Sequence, residues 1–285
     1  MQDLVSVCIP TYNGAQFLRE ALDSLKNQTY SNIEVIISDD DSKDNTLQIV
    51  EEFKERFDKP IYIYNHSPNG IGANWNYSIE KANGEYIKFL FQDDILLPTC
   101  IEDMVKVLKK DPTIGLVASK RDFIVEEPNE ETNIWIKTYG DLQAGLYSKD
   151  DLFILTKKIF KTSFFSKSPP NKIGEPSVVM FRKELFDSIG KFNEELEQIL
   201  DYEYWYRILK QKNIAVINRP LVKFRIHPEQ ATNKNKNKKI VDYELWDYIL
   251  YKEFFWFLSL KDQVKLFGRY TLLGKVLKKI YNIFG

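Results

Sequence analysis

Cysteine is nearly absent from this 285-residue chain: Cys8 and Cys100 are its only two. A disulfide scaffold is therefore excluded, and Cys8 falls inside an apolar strand-like run, which fits a reducing compartment. Neither sign of charge is in excess, with 40 Lys and Arg against 41 Asp and Glu. No global basic field exists to attract nucleic acid, so the expected partner is a small molecule or a local surface. Long hydrophobic runs are missing as well. The most apolar window, "FFWFLSL" at 254–260, falls far short of the roughly 20 residues that a spanning helix needs. Residues 1–7 have neither a basic start nor a long apolar stretch, which argues against a signal peptide. The expectation is a cytoplasmic protein, soluble or peripheral at the membrane, long enough to bury a large core.

What is present is an alternation. "LVSVCIPTY" (4–12) reads as a buried strand, and "AQFLREALDSLKNQ" (15–28) puts Phe17, Leu18, Ala21, Leu22 and Leu25 on one helical face. The pattern repeats as strand 33–38, helix 45–57, strand 61–65, helix 71–83 and strand 85–91. Continuous apolar strands alternating with amphipathic helices predict an α/β fold with a mostly parallel sheet flanked by helices. After residue 125 the alternation weakens, and 126–176 reads as substrate-facing loops around one helix near 149–161. Strand and helix return over 176–190, with a helix at 201–212 and a strand at 214–218. "NKNKNKK" (233–239) has the composition of a linker. The expected division is a domain of 1–228 with halves 1–125 and 126–228, a linker of 229–239, and a helical, aromatic extension of 240–285.

In parallel sheets ligands bind beyond the carboxyl ends of the strands, and the chemistry-bearing motifs fall at those ends. "PTYN" places Pro10, Tyr12 and Asn13 after the first strand. Pro10 ends the ladder, Tyr12 offers a flat face to a base, and Asn13 can cap the next helix. A plain structural turn explains the same residues. "DDDSKDNT" follows the second strand with Asp39, Asp40 and Asp41, three acids that disfavour one another's ionisation. They can accept from base and ribose groups, or simply cap the following helix. "QDD" ends another strand, and Asp93 and Asp94 there would attract a divalent cation that keeps positions open for phosphate oxygens. "LDYEYWYRI" sets Asp201 at a helix N-terminus, where a carboxylate is stabilised by the dipole.

In order, "VSVCIPTYN", "DDDSKDNT", "NGEYIKFLFQDD", "IGKFNEE" and "DYEYWYRI" resemble a family 2 glycosyltransferase with a GT-A fold, over about residues 4–228. The resemblance implies that Pro10, Tyr12 and Asp40 hold the base of a nucleotide-diphosphate sugar, with Asn13 and Asp39 nearby. It further implies that Asp93, with Asp94 beside it, carries Mn²⁺ or Mg²⁺ bridging the diphosphate, and that Asp201 is the general base of an inverting transfer. His227, in "FRIHPEQAT", falls where such enzymes close over the diphosphate, and a lone His is also commonly structural. Four positions depart from the family pattern: Asp41 where Gly is common, Phe91 where an acid precedes the metal Asp, Trp75 where Arg is frequent, and Leu200 where Glu precedes the base. No Gln-x-x-Arg-Trp run of the processive enzymes is found, which implies single additions.

The implied donor is a UDP- or dTDP-sugar, and the implied acceptor a hydroxyl of a glycan or lipid-linked glycan in surface polysaccharide or glycan assembly. A phosphoacceptor signalling domain shares an acidic pocket but is far shorter. A non-catalytic nucleotide-sugar-binding module would not need Asp201, and a sugar nucleotidyltransferase would need the glycine-rich basic loop that "PTYNGAQFLRE" lacks. From Pro228 onward 11 Lys and Arg accompany 6 Asp and Glu amid many aromatics. "LLGKVLKKIYNIF" separates Leu273, Val276, Leu277 and Ile280 from Lys275, Lys278 and Lys279, a pattern suited to an anionic membrane surface. Packing against the catalytic domain, or a dimer contact, accounts for it equally well.

Overall fold

The computed structural model describes residues 3–146, 150–230, 233 and 240–276. The first half runs β1 (Val5–Thr11), α1 (Leu18–Lys26), β2 (Ile33–Asp39), α2 (Thr46–Lys54), β3 (Ile61–Asn65), α3 (Ile71–Glu80), β4 (Tyr86–Phe89), β5 (Ile95–Leu96), α4 (Cys100–Lys110) and β6 (Ile114–Val125). Strands β1 and β2 are apolar through their centres and almost wholly buried, as sheet strands covered on both faces must be. α1 buries Leu18, Ala21, Leu22 and Leu25, the stripe expected from its spacing.

The second half holds α5 (Glu130–Tyr139), β7 (Leu152–Leu155), a 3₁₀ turn (Lys157–Lys161), β8 (Val179–Arg182), α6 (Glu184–Ile189), α7 (Leu200–Gln211) and β9 (Asn213–Ile226). All nine strands join one sheet in the order β3-β2-β1-β4-β8-β6-β9-β5, with β7 added to β9. The sheet is parallel from β3 to β4 and mixed beyond. β8 runs antiparallel between β4 and β6, and β9 is parallel to β6.

The segment around 149–161 departs from the expected helix. Residue 149 lies outside the described residues, and from Leu152 the chain forms β7, antiparallel to β9, followed by the 3₁₀ turn. The apolar run "LFIL" satisfies its backbone on an available sheet edge, a non-local partner that local periodicity does not reveal. Conversely, α5 forms where only loops were expected. It buries no residue, so it carries no amphipathic signal, and it starts on a capping box in which Asn129 accepts from Thr132 N and Thr132 accepts from Asn129 N.

Of the expected linker, residues 231, 232 and 234–239 lie outside the described residues, as do Leu277, Lys278, Lys279 and Ile280 of the basic run. The extension resumes as α8 (Asp242–Ile249), a π turn (Leu250–Phe254), a 3₁₀ turn (Phe255–Phe257) and α9 (Leu260–Tyr270). It packs on the rest of the chain: Trp246 meets Tyr202 edge-on at 5.0 Å, and the buried Phe254 lies 5.6 Å from Phe160.

α7 is the hub of this packing. Trp205 is fully buried, donates from Nε1 to Gly174 O at 3.0 Å, and meets Phe192 edge-on at 5.5 Å. Trp205→Ala is expected to lower stability by about 3–5 kcal/mol, the range for truncating a buried Trp. Urea unfolding tests this, and a loss under about 1 kcal/mol would contradict it.

The turn after β2 also explains one departure from the family pattern. Asp41 adopts φ +63°, a left-handed conformation that favours Gly and that Asp tolerates better than most. Its pair with Lys43 at 2.7 Å is exposed and so worth little. Asp41→Gly should therefore keep stability within about 1 kcal/mol, or raise it, while Asp41→Val should lose about 1–2 kcal/mol. Equal urea midpoints for Gly and Val would refute the conformational explanation.

Candidate functional site

β1, β2 and β4 end on one edge of the sheet because they are parallel, and β8 begins at that edge because it is antiparallel to β4. The motif residues meet there. Pro10 lies in register with Ser38 of β2. Tyr12, just past β1, is 55% exposed, and its backbone is clasped by one side chain. Tyr12 N donates to Gln92 Oε1 at 3.0 Å, and Gln92 Nε2 donates to Tyr12 O at 3.2 Å. Asn13 does not cap α1, whose N-cap is Phe17. It ties the first loop to the second, donating from its backbone to Ser42 Oγ and accepting at Oδ1 from Lys43 N, both at 2.8 Å.

The three consecutive acids have three different environments. Asp39 is fully buried. It accepts from Thr11 Oγ1 at 2.7 Å, Ser42 N at 2.8 Å and Ser42 Oγ at 2.6 Å, so neighbouring turns saturate its oxygens. Asp40 is buried just past the end of β2; its Oδ1 accepts from Asn69 N at 3.1 Å and lies 3.4 Å from His66 Nδ1. Asp41 turns outward to Lys43. His66, unremarked in the sequence, reaches Ser38 Oγ at 3.1 Å through Nε2 and joins the ends of β2 and β3.

Asp93 and Asp94 point in opposite senses. Asp93 is partly exposed, with Oδ2 3.1 Å from His227 Nε2, and the His227 ring rests edge-on against Phe17 at 4.8 Å. Asp94 is buried, and its Oδ1 accepts from Arg225 N at 3.1 Å. Burial, then the neighbouring Asp93 charge, pushes its carboxyl well above the usual range. Beneath lies Lys88, fully buried, donating to Phe89 O at 2.9 Å and to Ser177 O. Burial lowers its pKa, while the charge of Asp94 acts in the opposite direction.

Asp201 lies in the first turn of α7, which starts from the same edge. Its Oδ1 accepts from Tyr202 N at 2.7 Å and its Oδ2 from Asn171 Nδ2 at 3.0 Å. Burial raises its pKa to about 8, and the charge of Glu175 adds to the shift. Glu175 acts on Asp94 in the same way, so it stands within electrostatic reach of both. Arg121 of β6 holds Glu175 at 3.1 Å. Asn171, Glu175 and Arg121 carry no motif in the sequence; the only prior signal, for Asn171 and Glu175, was that 126–176 looked irregular. Asp242 was equally invisible. Its Oδ2 accepts from the backbone N–H groups of Glu197, Gln198 and Ile199 at 2.8, 2.6 and 3.2 Å, so the extension fixes the approach to Asp201.

The remaining departures are packing events. Trp75 and Phe91 touch each other, with ring centroids 5.1 Å apart. Leu200 rests on Gly72, where a Cβ would come within 3.4 Å of its side chain and 3.1 Å of Glu194 Cα. A side chain at Gly72 would crowd the Glu194 backbone by a few tenths of an ångström while meeting Leu200 at ordinary contact.

Among the described residues no three His, Cys, Asp or Glu cluster as a metal site. Cations of the Mg²⁺ and Mn²⁺ type commonly use only one or two carboxylates and complete their shell with substrate phosphates. The partly exposed Asp93, with the His227 imidazole beside it, fits that requirement.

Comparison with known proteins bears on the family and the fold. The model of "Glycosyl transferase family 2" matches residues 6–190. An uncharacterized glycosyltransferase of Rickettsia typhi is 32% identical over 250 residues, covering 87% of this chain and 72% of its own. One from Haemophilus influenzae is 29% identical over 255 residues, covering 87% and 75%. Among solved structures, Staphylococcus aureus TarS 1–349 in complex with UDP superimposes with a TM-score of 0.61 at 18% identity, covering 93% of this chain and 79% of that one. The mannosyltransferase PcManGT of Pyrobaculum calidifontis, in complex with GDP-Man and Mn²⁺, gives 0.59 at 18% identity, covering 100% and 81%. The fold is thus of the GT-A type, and the chain belongs to glycosyl transferase family 2.

Proposed function

We propose that this glycosyltransferase takes its sugar from a UDP- or dTDP-sugar and adds it, with inversion and one unit at a time, to a hydroxyl of a glycan or lipid-linked glycan in surface polysaccharide assembly. The observation that carries the reading is the pairing of Asp40, just past the end of β2, with Asp201, a buried carboxyl raised to about 8 in the first turn of α7. Complexes of the TarS structure with UDP and UDP-GlcNAc favour a uridine donor.

In this scheme the exposed ring of Tyr12 stacks on the base while the Asp40 carboxylate accepts its imide N–H. Asp39, whose oxygens are already engaged, shapes the turn that presents Asp40. The acceptor oxygen bonds to the anomeric carbon as the bond from that carbon to the diphosphate breaks. The acceptor proton passes to Asp201, which Asn171 and the Tyr202 N–H hold in place. Asp93 and His227 are the residues we assign to a divalent cation; it would offset charge on the departing diphosphate. Asp94 is assigned instead to support, since it is buried against the Arg225 backbone. A binding module without catalysis would have no use for a carboxyl poised near neutrality in the cleft.

Calorimetric titration of UDP, dTDP and GDP with and without Mn²⁺ tests the donor assignment. UDP or dTDP should bind more tightly with Mn²⁺. Asp40→Ala and Asp93→Ala should each weaken that binding by about tenfold or more, the loss of one charged hydrogen-bond partner, and Asp201→Asn should leave it unchanged. Preference for GDP, or indifference to Asp40→Ala, would sink the assignment.

The general base must be ionised to act. A carboxyl raised to about 8 is mostly protonated below that pH, so kcat/KM should rise about tenfold per pH unit on the acid side and level off above it. Asp201→Asn should remove activity across the range. A flat profile from pH 5 to 8 with full dependence on Asp201 would contradict the base role.

A further inference from the structure

We propose that this chain docks on an anionic lipid bilayer through one face built from the 157–167 segment and the C-terminal helices. The apolar part is displayed on the surface: Trp256 is 82% exposed, Leu260 76%, Val264 64% and Leu272 85%. Single exposed apolar residues are ordinary, but a run of large ones along one segment marks an interaction site. On α9, Leu260 and Val264 lie one turn apart, so they share a face with Lys261. That face is turned away from Leu266, which is only 2% exposed.

The segment is presented rigidly. Phe254 and Leu258 are buried on either side of Trp256, and the Phe160 ring lies 5.6 Å from Phe254 and 6.0 Å from Phe257. Those contacts set the 3₁₀ turn Lys157–Lys161 beside Trp256. Ser166 Oγ donates to Asp262 Oδ2 at 2.9 Å and joins the following loop to α9.

The neighbouring loop is strongly basic. Between Leu152 and Gly174 the chain has five lysines and no acid, and Lys157, Lys158, Lys161 and Lys167 are exposed. Lys167 and Lys265 line a cavity of about 260 Å³ between this loop and the extension, together with Asp247 and Asp262, and Lys265 pairs with Asp247 at 3.3 Å, so the free positive charge lies on the 157–167 segment. Beyond Val276 the sequence continues with Lys278 and Lys279.

Charge decides the occupant. Protein interfaces exclude Lys from their cores, whereas lysines flanking exposed Trp and Leu match the headgroup and acyl boundary of an anionic bilayer. The same loop leads to Asn171, which holds Asp201, so the docked face adjoins the proposed acceptor side. Docking itself does not depend on the donor or base assignments.

Sedimentation with vesicles tests the proposal on the 285-residue chain. It should pellet with equimolar phosphatidylglycerol and phosphatidylcholine vesicles at low salt, and stay in solution with phosphatidylcholine alone. The triple change Lys157→Gln, Lys158→Gln and Lys161→Gln should weaken binding on the order of a hundredfold. Trp256→Ser with Leu260→Ser should weaken it at least about tenfold, with unchanged circular dichroism and melting temperature showing that both variants fold. Failure of the unaltered chain to pellet overturns the proposal, as does binding insensitive to both sets of changes. Self-association lost on Trp256→Ser, without vesicle binding, would assign the face to a second copy and overturn it as well.

Discussion

The organisation of this molecule depends on taking carboxylates out of water at one sheet edge and holding several of them mainly with neutral donors. Asp39 is held by two hydroxyls and a backbone N–H, Asp94 by the Arg225 N–H, and Asp201 by the Asn171 amide and the Tyr202 N–H. Neutral donors offset part of the cost of burying these charges, Asp94 Oδ2 being left without a partner, and desolvation outweighs them at Asp94 and Asp201. Asp94 and Asp201 are raised as a result. The arrangement costs stability and leaves a site able to receive cations and protons from outside. An active site commonly holds such an imbalance.

A second consequence concerns α7. The helix carries Asp201 at one end, and the Trp205 side chain reaches back to Gly174 O, fixing the loop that bears Asn171 and Glu175. From outside, Asp242 caps the residues leading into the helix. The extension therefore shares in positioning the turn that bears Asp201, and its packing on Tyr202 and Tyr206 through Trp246 makes it part of the same body. Displacing it would disturb the position of Asp201.

Much of the first half was legible because its signals are local. The strands from Val5 to Phe89 and the helices between them follow from apolar runs and helical stripes, and their parallel pairing follows from the alternation. The second half resisted for two physical reasons. β7 exists because β9 offered it an edge, and α5 exists because of its cap and not a buried face. At the site, motifs located Tyr12, Asp40, Asp93 and Asp201, while Glu175, Asn171, His66 and Asp242 had no pattern to announce them.

The sequence by itself determined the order of the elements in the first half, the family, and the strand ends at which acidic residues collect. Only the tertiary structure decided which acid of each neighbouring set is buried and which meets a partner from another loop. Asp93 and Asp94 are indistinguishable in a motif, yet one meets His227 and the other is buried against Arg225, 131 residues away in the chain. A carboxylate's availability depends on what excludes water from it and which donors reach it. Those groups come from distant segments, so no local pattern can encode the answer.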